Sequence, residues 1–300
     1  MIDVNKVGRR LAMLVGGLSL LLAVAGPWIT PYDPERPTAD VLMSPSASHP
    51  MGTDASGLDV FSVTVAAYRT DLLIALAAVV LSLVVGIVLG VLAGYSFGGS
   101  RAFGILGKAV DRLLDLVQSI PVVILGLALV ATFGRGMPSV IAAVAFVNVP
   151  VFARLLRSSL KSAERGGLVQ ACRSVGLSER ATLLRHVLPN SLDSTLANAS
   201  VALGGAILLT AALSFLGAGV RPPTPEWGAL ISGGANYVPT GQWWISVFPG
   251  LVLSLTVVCF ALAGESVRDR LSGASGRKRS ADAGQTDAAQ TDTDTVMRLA

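Results

Sequence analysis

Six stretches of this chain carry no charged side chain: Leu11 to Tyr32, Leu72 to Ser100, Leu116 to Gly134, Gly136 to Ala153, Ser194 to Val220 and Trp227 to Gly264. Each can hold a helix of the roughly 20 residues that a bilayer demands. In the last stretch the strongly apolar part starts at Trp243. Leu72 to Tyr95 alone holds 15 Leu, Ile and Val residues. At about −0.3 to −0.6 kcal/mol each, they favour insertion by on the order of 5 to 9 kcal/mol, unopposed by any charge. Gly134-Arg135-Gly136-Met137-Pro138 reads as a tight connection between two spans. The whole chain is 52% hydrophobic and 14% charged, against roughly 25% charged in soluble domains. A soluble core of this size could not hide that much apolar surface, so the expected solvent is lipid, and the expected class is all-α integral membrane.

Lys and Arg set the orientation. Lys6, Arg9 and Arg10 precede the first stretch; Arg101, Lys108 and Arg112 follow the second; Arg154, Arg157, Lys161, Arg165, Arg173, Arg180 and Arg185 follow the fourth; Arg268, Arg270, Arg277, Lys278 and Arg279 follow the sixth. The alternate connections are poor in them: Asp33 to Asp71 is mostly acidic, and the other two hold Arg135 and Arg221. Six transmembrane helices with both termini cytoplasmic satisfy every loop. The basic start, the apolar run and Ala23-Val24-Ala25 also fit a secretory signal with its cleavage site. The run continues through Pro27, Trp28 and Ile29, which favours a retained helix; cleavage would leave five spans in the same orientation. The chain thus divides into an N-terminal helix and external loop (1–71), a transmembrane core (72–271) with a cytoplasmic element at 168–190, and a tail (272–300). That tail, rich in Ser, Ala, Asp, Thr and Gln, has no apolar period and is expected to be disordered.

Several functions are disfavoured by what is missing. No span has an ionisable residue at its centre, as an ion-coupled transporter or a charged-ring channel would need. Gly107-Lys108 is followed by Ala109, so no phosphate-binding loop is present; if ATP drives this protein, another chain binds it. Cys172, Cys259, His49 and His186 fit no metal-ligand spacing, and His49 in its loop reads as an ordinary polar residue before it reads as a ligand. No basic stripe with interleaved aromatics points to nucleic acid.

The longest cytoplasmic segment, Arg154 to Asp193, has a shape. Leu168 to Val175 reads as a short helix stopped by Gly176. Ser178 then caps a second helix, with Glu179 at its positive end. Leu183, Leu184, Val187 and Leu188 form an apolar stripe, and Pro189 is expected to end the helix. Two readings follow: a helical hairpin that docks into a partner's groove, or one that packs only on its own bundle.

At these residues the chain resembles a known family. Gln170-Ala171-Cys172, then Gly176, then Leu188-Pro189 is similar to the Glu-Ala-Ala loop of permeases in binding-protein-dependent ABC importers. Gln170 stands where that family usually has Glu, and Cys172 where it has Ala; the first change removes a carboxylate that could pair with the ATPase. His49-Pro50-Met51-Gly52-Thr53-Asp54 with Gly57 and Asp59-Val60 resembles the first external loop of the dipeptide, oligopeptide and nickel group, with Leu58 in place of a usual Arg. Arg185 to Asn190, Leu213 to Gly219 with Pro222 to Pro225, Trp227-Gly228, Phe248-Pro249-Gly250 and Arg268-Asp269 fit the same group. Order and spacing over roughly Leu11 to Leu271 resemble the second of its two permeases. The resemblance implies a type I ABC importer permease fold in the cell membrane and Gln170 to Pro189 as the element coupled to an ATPase. It also implies a second permease, two ATPase subunits that hold ATP and Mg, an external solute-binding protein, and no cofactor on this chain. The implied cargo is a di- or oligopeptide, moved by alternating access. Rival expectations are a nickel or metal-chelate importer of the same family, a stand-alone secondary transporter, and a scaffold that moves nothing.

Single residues carry paired readings. Gly86, Gly90 and Gly94 share one helix face, which suits close packing within the subunit or a seam with the partner permease. Pro121, Pro150 and Pro249 are candidate kinks. Asn148 is expected to bond to a neighbouring helix, and Trp227, Trp243 and Trp244 to form an aromatic belt at the outer boundary.

Overall fold

The structure, a computed structural model, describes residues 17–19, 21–26, 28–95, 101–165 and 167–264. Among these residues all regular structure is helical, apart from one isolated Thr53–Asp59 bridge. A short apolar helix α1 (Gly17–Gly26) leads into an irregular segment over 30–59. Then come α2 (Val60–Gly94), α3 (Arg101–Ser119), α4 (Val122–Phe133), α5 (Met137–Arg165), α6 (Leu168–Ser174) and α7 (Glu179–Thr182). A π-turn (Leu183–Val187) joins α7 to α8 (Leu188–Phe215), and α9 (Trp227–Ala235) precedes α10 (Trp244–Gly264).

Among the described residues, four helical runs are long and apolar enough to cross a membrane, Val60–Gly94, Met137–Arg165, Glu179–Phe215 and Trp244–Gly264; the bent pair α3–α4 makes up to five. This falls short of the expected six. The start of the first expected span lies outside the described residues. The third is broken at Pro121, where α3 and α4 meet at 95°. Proline has no N–H to donate and fixes its own φ, and it leaves α4 only 12 residues, about 18 Å against a hydrocarbon core of about 30 Å. Pro150, by contrast, sits inside an uninterrupted α5.

The second span begins earlier than its charge-free stretch. Asp59 caps α2 with a carboxylate that accepts from the Ser62 N–H at 2.8 Å and from its hydroxyl at 2.7 Å, so the helix starts at Val60 and carries Arg69 and Asp71 inside it. At 35 residues α2 is about 52 Å long.

The core lies where α2, α5 and α8 pack together, and α4, α9 and α10 close it; Ile74, Val144, Phe152, Ile207, Leu213 and Trp227 are fully buried there. Gly86, Gly90 and Gly94 let α2 and α5 approach. A Cβ on Gly86 would lie 2.6 Å from the Phe152 Cβ, on Gly90 2.8 Å from the Ala153 carbonyl oxygen, and on Gly94 2.9 Å from the Arg157 Cα. Two ion pairs hold α3 on α5: Arg154 to Asp115 at 2.6 Å and Arg157 to Asp111 at 2.7 Å.

At the Val60 end of the bundle the irregular segment is tied down by a buried histidine. His49 Nδ1 meets Asp59 Oδ1 at 2.8 Å, its Nε2 lies 3.5 Å from Asp40, and its ring stacks on Tyr32 at 4.6 Å. Thr53, in the same loop motif, accepts from Trp244 Nε1 at 3.2 Å through its carbonyl oxygen. The His49 to Val60 motif is therefore a knot that joins the start of α2 to the start of α10.

Candidate functional site

The element at 168–190 folds as a hairpin at the Gly94 end of the bundle. α6 stops as expected: Gly176 takes φ +81°, a conformation that favours glycine, and its N–H and that of Leu177 donate back to the carbonyls of Arg173 and Cys172 at 2.9 and 3.1 Å. Ser178 Oγ accepts from the Ala181 N–H at 3.3 Å and starts α7, with Glu179 in the first turn.

Pro189 does not end the helix. Glu179–Phe215 runs on for 37 residues, with the proline in the first turn of α8 directly after the π-turn. A proline inside a helix removes one backbone donor and presses its ring on the carbonyl four residues back; the wider turn at Leu183–Val187 makes room there.

The hairpin divides its apolar side chains between two faces. Val169, Leu183 and Val187 are buried against Tyr95, Leu156 and Leu160 of the chain's own bundle. Val175, Leu177 and Leu184 face outward, at 82%, 37% and 62% exposure. Of the residues singled out in the sequence, Gln170, Ala171, Gly176 and Pro189 are exposed, Leu188 is half-buried and Cys172 is buried as a free thiol. The apolar stripe is therefore split: Leu183 and Val187 anchor the hairpin, and Leu184 joins the outward face.

One contact here was not legible from the motif. The Glu179 carboxylate accepts from the Tyr95 hydroxyl at 2.9 Å and from Arg173 Nε at 2.8 Å and Nη2 at 3.3 Å. It ties together the residue that follows α2, the last turn of α6 and the first turn of α7. Burial, and then the adjacent Glu179, hold the Tyr95 phenol above its ordinary value, so it stays a hydrogen-bond donor. The same carboxylate raises Arg173. Tyr95 follows a 23-residue charge-free run, and only the folded return of the chain brings it to Glu179.

Elsewhere in the bundle, Trp227 and Asn148 depart from expectation. Trp227 is no belt residue: it is fully buried, edge-on to Tyr68 at 4.7 Å, and its Nε1–H donates to the Thr64 carbonyl at 3.0 Å. Glu226 caps α9 by accepting from the N–H groups of Gly228 and Ala229 at 2.9 Å each. A Cβ on Gly228 would lie 2.3 Å from the Ala211 carbonyl oxygen, so α9 sits directly on the α8 backbone. Trp244 is buried and Trp243 half exposed. Asn148 donates to Val144 of its own helix at 2.8 Å rather than to a neighbour.

Residues 86–273 match the family model described as binding-protein-dependent transport system inner membrane component. The chain belongs to that family. This inner membrane component is 36% identical over 269 residues to the di/tripeptide transport system permease protein DppC of Pseudomonas aeruginosa (strain UCBPP-PA14), covering 86% of each chain. It is 36% identical over 264 residues to the probable D,D-dipeptide transport system permease protein DdpC of Escherichia coli (strain K12), covering 88% of this chain and 86% of that one. It is 33% identical over 269 residues to the glutathione transport system permease protein GsiD of Pectobacterium atrosepticum, covering 88% and 87%. The fold is that of a solved chain from the MetNI methionine ABC transporter, with a TM-score of 0.57 at 21% identity over 70% of this chain and 97% of that one. The inner membrane component is thus a transport permease rather than an enzyme, built on the helical fold of ABC importer permeases.

Proposed function

We propose that this permease is one of two membrane subunits of an ATP-driven importer of di- or oligopeptides, with 168–190 as the element seated on an ATPase subunit. The identity of 33–36% to permeases named for di/tripeptide, D,D-dipeptide and glutathione transport supports the cargo class. The outward Val175, Leu177 and Leu184 on a hairpin clamped by Glu179 support the docking role: three exposed apolar side chains on one hairpin fit a partner's groove.

In this reading six spans place both termini in the cytoplasm of a cell-membrane protein. The knot at His49 faces outward, where a solute-binding protein delivers peptide. ATP and Mg are held by the partner subunits. ATP binding favours one of two states of the complex, and the work available is the difference in its affinity for them. The hairpin is anchored by Val169, Leu183 and Val187, so a displacement of it moves the Leu156–Leu160 end of α5. No bond in the peptide is broken.

The test is uptake by the purified complex in proteoliposomes with its binding protein, using a labelled dipeptide and nickel as separate probes. ATP-dependent dipeptide accumulation is the expected result. Accumulation of nickel instead would keep the importer and replace its cargo, and transport by this chain alone without ATP would overturn the reading. Carboxylate replacement at Gln170, Q170E, tests the docking face: the expected outcome is unchanged or higher ATPase coupling.

A further inference from the structure

Between α1, α2, α8 and α10, near the Val60 end of the bundle, lies an apolar groove of about 660 Å³ lined by Val24, Trp28, Leu73, Leu76, Leu203 and Phe260. Its one charged lining residue is Arg69, which is exposed and, among the described residues, has no ion pair. Glu35 and Arg69 both line a second, smaller cavity of about 210 Å³, without pairing across it. Arg69, Leu73 and Leu76 follow one another at i, i+4 and i+7 on α2, and so share a face. The face continues through Val80 and Val84, which are 51% and 56% exposed.

We propose that this groove is a phospholipid site, with the phosphate on Arg69 and one acyl chain lying along Leu73, Leu76 and Val80. Three observations converge. From Arg69 to Val80 the helix rises 11 residues, about 16 Å, which is the depth of one leaflet of a hydrocarbon core about 30 Å thick. Trp28, 81% exposed beside the groove, is the amphipathic residue found at headgroup level. A guanidinium with no ion pair among the described residues finds at that level two phosphate oxygens that its planar N–H fork can engage bidentately. A second protein face laid over the same groove would have to bury that charge or bring a carboxylate to it. The inference needs α2 to cross the bilayer and is independent of the cargo.

The test uses the intact complex, purified in mild detergent, with retained phospholipid counted by mass spectrometry for wild type, Arg69→Gln, Arg69→Lys and Leu73→Trp. Arg69 and Leu73 are exposed, so the variants are expected to purify at wild-type yield. Wild type is expected to hold phospholipid that Arg69→Gln loses by about tenfold, the effect of removing a charge-assisted pair. Arg69→Lys is expected to retain part of it, and Leu73→Trp, which fills the groove, to lose it with the cation intact. Equal retention in all four overturns the proposal. So does a disulfide or photo-crosslink from Leu73→Cys to another protein chain in native membranes, which would assign the groove to a partner subunit.

Discussion

Trp227 donates its backbone N–H to Asp71 Oδ2 at 3.1 Å, joining the start of α9 to the first third of α2 across 156 residues of sequence. Both residues are fully buried. The carboxylate fixes the height at which α9 enters the bundle, and Glu226 beside it caps the same helix.

Asp71→Ala is expected to destabilise the protein by about 1 to 3 kcal/mol, the cost of leaving a buried N–H without an acceptor. Asp71→Asn keeps an acceptor oxygen and is expected to stay within about 1 kcal/mol of wild type. Thermal unfolding of the purified complex distinguishes them; equal loss in both variants would mean that charge, not the hydrogen bond, holds α9.

Gly86→Val and Gly90→Val are expected to abolish accumulation of folded protein, because the new Cβ meets the Phe152 Cβ or the Ala153 carbonyl at under 3 Å. Gly205→Ala is the control: nothing lies within 4 Å of its Cβ position, and alanine favours a helix over glycine by about 1 kcal/mol. Membrane-fraction immunoblots and gel filtration read the contrast.

Glu179→Ala removes the acceptor shared by Tyr95 and Arg173. The expected result is a hairpin that still folds on Val169, Leu183 and Val187 but transmits motion poorly, so peptide uptake falls several-fold more than ATP hydrolysis does. A parallel fall in both would show that Glu179 serves only assembly.

Pro189→Ala restores the missing N–H and lets the π-turn relax to an α-turn. Removing the extra residue from that turn rotates what precedes it by about 100°. Thiol labelling checks this: Leu184→Cys, accessible beside Pro189, is expected to become protected in the Pro189→Ala background. Unchanged labelling would mean that packing of Leu183 and Val187, not the proline, sets the turn.

The apolar runs foretold α2, α5, α8 and α10, because burial in lipid demands length and absence of charge and both can be read along the chain. The hairpin signals at Gly176 and Ser178 were legible for a similar reason: caps are local chemistry. What escaped was decided by distant partners. Asp71 looked like loop because it is charged, yet Trp227 and α9 give it a buried place in a helix. Trp227 looked like an interfacial aromatic, yet Glu226 and Gly228 set α9 so deep that no face of the ring reaches the surface. Pro189 looked like a stop, and a π-turn absorbed it. Pro121 and Pro150 carry the same local signal; one breaks its helix and the other does not. Gly86, Gly90 and Gly94 announced a close contact without naming its partner, and α5 occupies that face.

The length of α2 bears on how the molecule works as a device. Asp59, locked to His49, starts the helix, and Tyr95, bound to Glu179, directly follows its end. One unbroken helix thus connects the His49 knot to the 168–190 hairpin, and the glycine face seats it along α5 like a rail. A tilt imposed at either end must emerge at the other at once, in proportion to its distance from the fulcrum. In the proposed importer, the end that would meet cargo and the end that would meet the ATPase are therefore linked mechanically through one helix.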